Sequence, residues 1–294
     1  MATLPQPDRA TFVDVNRTRL RVWEWGDPGA PMVLAAHGAY DHGRMFDEIA
    51  SQVAGLGYHV RAVDLRGHGD SGATHTGHTF DAAVLDLGML TVDHGAPVGL
   101  LGHSMGAGML SRVAATWPAH VRWLVSLDSL GPPGSDFADL DPGEAATGGW
   151  AGLVKTLGRD QRVFPDLAAM KAQRSAVNVR LPERWLDHLV EHGTVAVEGG
   201  HSWKCGSIFS TWLPDGFEPS WVTSDFARVE CPVLALMGVE DDAWVFPAEE
   251  IPERSSHLRD LRLRTVPGAG HYVHLEQPDI VMDAVRTFLA EVDG

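Results

Sequence analysis

The chain has 294 residues, 44% apolar and 21% charged, with a formal net charge of -16. That length and balance suit one large α/β domain carrying an insertion and exclude wholesale disorder. So acidic a surface repels phosphate backbones and anionic membranes, so neither nucleic acid nor membrane is an expected partner, and the acidity itself reads as solubility.

Only two cysteines, Cys205 and Cys231, are present, outside any CxxC or Cys/His metal pattern. Both are expected reduced, and no disulfide framework is expected. Met1–Ala10 (MATLPQPDRA) lacks the apolar run of a secretory signal, and no window approaches the ~18 apolar residues of a membrane span. A cytoplasmic protein is expected.

Taken in chain order, 11–15 and 19–25 alternate in polarity around Asn16-Arg17 and predict an antiparallel hairpin. Met32–Ala36 predicts a buried strand, 45–56 a helix and 59–64 a strand. Residues 81–93 predict a helix with Asp81 as its cap. Then come a strand at 98–102, a helix at 105–117 and a strand at 123–127. Strands at 233–238 and 261–266 and a closing helix from Pro278 complete the pattern. Short apolar runs alternating with helices imply a mainly parallel sheet covered by helices.

The alternation fails between 132 and 226, too long a stretch for a loop. It predicts a folded, mainly helical insertion, with helical patterns at 164–178 and 182–192, standing as a lid over the C-terminal sheet edge. The division expected is 1–131 with 227–294 as the core and 132–226 as the lid. Five of the chain's ten tryptophans fall in it: Trp150, Trp185, Trp203, Trp212 and Trp221. They either hold the insertion together or line an apolar pocket.

Gly102-His103-Ser104-Met105-Gly106 matches G-x-S-x-G between a predicted strand and a predicted helix. The pattern needs a turn sharp enough to lift the serine hydroxyl above the sheet, with glycines where backbones crowd. The helix start then offers N–H groups and positive dipole where an oxyanion develops. A serine is a weak nucleophile and requires a base. Among 15 histidines, His271 stands out, in a glycine-rich loop between the last strand and the closing helix. His42, His75, His78, His94, His120, His188 and His257 read as surface or capping residues. His274 lies three residues beyond His271, but no ligand set completes a metal site there, so no metal is expected. No G-x-G-x-x-G or phosphate-loop pattern appears, and no cofactor is expected.

Four segments together resemble the α/β-hydrolase superfamily, and more closely its lidded esterase and lactonase-like members. They are His37-Gly38-Ala39, Asp64-Leu65-Arg66-Gly67-His68-Gly69-Asp70-Ser71, the serine pentapeptide, and Gly268-Ala269-Gly270-His271. The resemblance implies the α/β-hydrolase fold, a mostly parallel eight-stranded sheet with helices on both faces. It implies Ser104 as nucleophile, His271 as base, and backbone N–H groups of Ala39 and Met105 as the oxyanion hole. The family order Ser, acid, His and the stretch Leu236–Asp242 point to Asp241 as the acid, with Glu240 and Asp242 beside it. Asp128, at the end of the strand 123–127, is the rival. The Asp64–Ser71 turn is expected to tie loops together.

The implied activity is hydrolysis of a carboxylic ester or lactone of a small, largely apolar substrate through an acyl-enzyme. Carbon–carbon bond hydrolysis, acyl transfer or perhydrolysis on the same triad are alternatives, because fold does not fix function. A non-catalytic small-ligand receptor is an alternative of another kind.

Overall fold

A computed structural model describes residues 4–72, 79–133, 161–205, 219–242 and 244–293. It begins with the expected hairpin, β1 (Arg9–Val15) and β2 (Thr18–Trp25). Asn16 and Arg17 take positive φ of 46° and 59°, the backbone a two-residue turn needs to match strand twist. The remaining core strands are β3 (Met32–Ala36), β4 (His59–Val63), β5 (Val98–His103), β6 (Val121–Leu127), β9 (Val233–Gly238) and β10 (Leu261–Val266). They form one eight-stranded sheet in the order β1-β2-β4-β3-β5-β6-β9-β10. Both pairings of β2 are antiparallel, and all those from β4 to β10 are parallel.

The central parallel strands β3, β5, β6 and β9 read as near-continuous apolar runs because both of their faces are covered, whereas the edge strand β10 carries Arg262 and Arg264 and is largely exposed. In β3, Met32, Leu34 and Ala36 face one core, and Val33 and Ala35 the other. The first core is closed by α2 (Phe80–Asp93) and α3 (Met105–Thr116). The second is closed by α1 (Asp47–Ala54) and the C-terminal helix Pro278–Val292. Helix α2 begins one residue before the expected start. Its cap is Thr79, whose hydroxyl accepts from Ala82 N at 3.1 Å, and not Asp81.

Between β6 and β9 the described residues form α4 (Leu167–Val177), α5 (Glu183–Gly193), the hairpin β7 (Thr194–Val197) with β8 (Gly200–Trp203), and α6 (Pro219–Phe226). Both expected helices are present. The hairpin has no counterpart in the sequence reading, since Val195 and Val197 point to solvent and leave no inward alternation. Trp185 is fully buried, packed with Met45, Leu189, Tyr272 and Leu275, and so fastens α5 to the core. Trp150 and Trp212 lie outside the described residues. Helix α6 places Val222 and Phe226 in the first core, and Asp225 accepts from Arg112 of α3 at 2.9 Å.

The Asp64–Ser71 turn ties loops together, as expected. Asp64 accepts from Trp23 Nε1 (3.0 Å), Gly43 N (2.7 Å) and Asp70 N (2.8 Å). Arg66 grips Asp86 of α2 with two bonds of 2.7 and 2.6 Å. His42 and His188 depart from their expected surface or capping places. Both are buried between α5 and the 42–47 segment, with His188 Nε2 3.0 Å from Arg44 O.

Candidate active site

Ser104 stands at the junction of β5 and α3 with φ 51° and ψ -122°. A non-glycine residue there is strained and persists only where its surroundings over-determine it. Those surroundings are specific. Ser104 N donates to Leu127 O at 3.0 Å, and Ser104 O accepts from Ala107 N and Gly108 N. Gly102 and Gly106 allow the tight turn: a Cβ on Gly102 would fall on the Ala107 backbone, and one on Gly106 on the Ala36 carbonyl. Two neighbouring loops carry the same kind of strain, at Tyr40 (φ 63°) after β3 and Asp128 (φ 48°) after β6. Three adjacent strands, β3, β5 and β6, are thus each followed within a few residues by a forced turn at the same sheet edge.

The geometry departs from the expected pairing of His271 with Asp241. Asp241 is exposed and makes no hydrogen bond or ion pair among the described residues. Asp128 stands against the ring instead, its Oδ2 2.7 Å from His271 Nδ1. Asp128 is 2% exposed, its N donates to Leu236 O at 2.8 Å, and its Oδ1 accepts from Gly238 N at 2.8 Å. With Nδ1–H donating to the carboxylate, a neutral His271 ring carries its lone pair on Nε2, the tautomer a base requires.

The physical reason lies in strand order. Leu127 of β6 is in register with His103 of β5, so Asp128 and Ser104 leave neighbouring strands side by side. The acidic run after β9 serves a different purpose. It grips the main chain of the histidine loop, Glu240 accepting from Gly268 N (3.1 Å) and Asp242 from His271 N (3.3 Å). Glu276 takes Gly270 N (3.0 Å) and Tyr272 N (3.2 Å). The His271 carbonyl is held from the other side by His103 Nε2 at 3.0 Å.

The rings around this loop are kept uncharged. Burial, then the nearby His271 and His274, hold His103 well below the usual imidazole range. Burial and His271 bring His274 down to about 3. His37 is lowered to about 4 by burial; its Nδ1 lies 2.7 Å from Gly38 O and its Nε2 accepts from Leu65 N at 3.0 Å. This pair of bonds sets the start of the Gly38–Asp41 turn, which carries Ala39. The Ala39 N–H has no acceptor among the described residues. Met105 is the first residue of α3, where an N–H has no intrahelical acceptor.

Asp41, Arg174 and Tyr272, which the sequence reading did not single out, form a buried polar group beside this site. Arg174 lies in the weakly patterned insertion, and nothing in the local sequence marks it. Among the described residues, no group of three or more His, Cys, Asp or Glu gathers as metal ligands, and no helix is long and apolar enough to cross a membrane.

A sheet in this order, with a strained serine after its fifth strand and a carboxylate-bound histidine after its last, defines the α/β-hydrolase class of protein. Residues 32–284 match the Alpha/beta hydrolase family, and the chain belongs to it. Its curated relatives include the 2-(acetamidomethylene)succinate hydrolase of Mesorhizobium japonicum, 28% identical over 279 residues and covering 94% of each chain. Another is the sn-1-specific diacylglycerol lipase ABHD11 of Mus musculus, 28% identical over 271 residues, or 90% of this chain and 83% of that one. A solved E-2-(acetamidomethylene)succinate hydrolase superposes with TM-score 0.78 at 26% identity, covering 96% of this chain and 99% of that one. These relatives are hydrolases, and hydrolase chemistry is what the family membership supports.

Proposed function

We propose that this protein is a serine hydrolase of small, largely apolar carboxylic esters or lactones, working through an acyl-enzyme on Ser104. The observation that carries the reading is the 2.7 Å bond between Asp128 and His271 at the sheet edge where Ser104 is held in its strained turn. Ser104 Oγ attacks the carbonyl carbon while its proton passes to His271 Nε2, and Asp128 stabilises the resulting imidazolium. The carbonyl oxygen becomes an oxyanion received by the N–H groups of Ala39 and Met105. Such donors typically lower a barrier by about 2.7–4 kcal/mol each. Collapse breaks the ester C–O bond, and the departing alkoxide takes the proton back from Nε2. Water then attacks the acyl carbon, gives a proton to Nε2, and frees the acid as Oγ is re-protonated. In a lactone the alcohol stays tethered to the acyl group, and the product is a hydroxy acid.

The insertion supports this reading. Helix α5 packs on Met45 and Tyr272 and so covers the histidine loop from above, the place from which a lid excludes bulk water. A second reading, hydrolysis of a small amide-bearing substrate by the same residues, is favoured by the likeness over 94% of the chain to a hydrolase named for an acetamido-bearing succinate.

The test is a panel of p-nitrophenyl esters of two to eight carbons, γ- and δ-lactones and N-acyl amides, run on wild type and Ser104→Ala. Ester or lactone turnover that Ser104→Ala abolishes supports the first reading, and turnover confined to amides supports the second. Equal background rates in both proteins, with no fluorophosphonate adduct on Ser104, would remove both.

A further inference from the structure

The oxyanion turn and the base loop leave the sheet far apart. Strands β3 and β10 are separated by β5, β6 and β9, which at the usual spacing puts them roughly 19 Å apart. Their loops meet above the sheet through three side chains. Asp41 closes the turn that begins at Gly38 and carries Ala39, its N donating to Gly38 O at 3.3 Å. Tyr272 directly follows His271, and its hydroxyl donates to Asp41 Oδ1 at 3.1 Å. Arg174 of α4 donates from Nη2 to both, at 3.0 Å to Asp41 Oδ1 and 3.0 Å to the Tyr272 oxygen.

The three bonds close a triangle. Each group stays within its capacity: the hydroxyl gives one bond and takes one, Oδ1 takes two, and Nη2 gives two. Asp41 and Tyr272 are 2% and 3% exposed, and the Arg174 side chain 15%. Helix α4 buries Met170 against Phe164 and Val190 and pairs Lys171 with Glu183 and Asp187 of α5, and it reaches the Asp41 turn and the His271 loop through Arg174. A guanidinium without Asp41 and a carboxylate without Arg174 would each be an uncompensated buried charge, so the three groups dock together or separate together.

We infer that Arg174 is a positioning residue of the insertion: by clamping Asp41 and Tyr272 at once, it sets the Ala39 turn and the His271 loop at their working separation. The inference rests on the proposed role of Ser104, His271 and Ala39. It makes docking of α4 a condition of the acylation step rather than a cover for bound substrate. The base and the oxyanion N–H groups serve acylation and deacylation alike, so removing the clamp slows both steps and lowers kcat while KM, which follows their ratio, stays nearly unchanged.

The experiment measures fluorophosphonate labelling of Ser104 and p-nitrophenyl ester kinetics in wild type, Arg174→Met, Arg174→Ala and Tyr272→Phe, with melting curves for each. Labelling of wild type, absent in Ser104→Ala, tests the underlying reading alone; its failure removes both claims. Given that labelling, Arg174→Met is expected to slow it by about 10- to 100-fold, the scale of loss from an ångström-sized misplacement. In Arg174→Ala, added guanidinium ion restores part of the rate. Tyr272→Phe keeps the ring packing and loses a smaller factor, in kcat and not KM. A merely structural pin gives a lowered Tm with labelling and kcat at wild-type values below that Tm, and this overturns the inference. Should the Arg174 variants fail to fold, an unaltered kcat in Tyr272→Phe overturns it equally.

Discussion

Asp128 and His271, 143 residues apart, meet through a 2.7 Å bond between Oδ2 and Nδ1, while Asp241, much nearer to His271 in sequence, faces solvent. The aspartate that bonds the ring is the one that decides tautomer and orientation. Asp128→Asn is therefore expected to lower kcat on an active ester by about 10³- to 10⁴-fold, as loss of a triad acid does elsewhere. Asp241→Asn is expected to stay within a few-fold of wild type. Steady-state kinetics on the two variants decide this, and the reverse ranking would return the role to Asp241.

Gly106 faces the Ala36 carbonyl with no room for a methyl group. Gly106→Ala forces helix α3 away from β3 and is expected to destabilise by about 1–3 kcal/mol, the range of overpacked cores. The urea midpoint measures it. Because the shift tilts the Met105 N–H as well, kcat should fall in the population that remains folded.

His274 is fully buried, with its pKa brought down to about 3 by burial and the nearby His271. Its unfolded value is about 6.5. The unfolded chain thus binds more protons than the native one as pH falls below about 6.5, and stability drops with it. In His274→Leu this titration is gone. The stability gap between wild type and variant should shift against wild type by about 2 kcal/mol on going from pH 6.5 to pH 5. Asp64, raised by burial to about 6, acts in the opposite sense: its stabilisation is present at low pH and fades as pH rises through about 6. Comparing the two proteins cancels that contribution. A gap that does not move with pH rules the account out.

Arg66 and Asp86 form a two-bond ion pair in which both side chains are buried. Arg66→Met leaves the Asp86 charge without its cation and is expected to cost about 3–5 kcal/mol. Adding Asp86→Leu should recover much of that loss, since removing both charges removes the desolvation problem. Denaturation of the single and double variants tests it; a double variant weaker than Arg66→Met would refute it.

Much of the scaffold was legible because burial writes itself into composition. Met32–Ala36, Val233–Gly238, Leu261–Val266 and Pro278–Val292 were bounded as the structure has them. Met32–Ala36 and Val233–Gly238 are covered on both faces, which yields sharp apolar runs, while Leu261–Val266, at the sheet edge, shows instead the alternation of a half-exposed strand. The elbow was legible for a related reason, since only glycine fits at 102 and 106. The cap of α2 was misplaced by two residues because Thr79 and Asp81 are both good caps, and the choice rests on which one reaches an N–H.

The chain's own order of residues determined the individual core strands and helices, the serine turn between its strand and helix, and the glycine loop that carries His271. These are local, enforced by periodicity and by steric limits within a few positions. The tertiary structure alone decided which carboxylate the imidazole meets and how Arg174 joins two distant loops. Those outcomes depend on strand register and on turns such as Asp128, at φ 48°, that aim side chains across the sheet edge. Three acidic residues side by side at 240–242 look equivalent in one dimension, and only their directions in space separate main-chain anchors from a solvent-facing side chain.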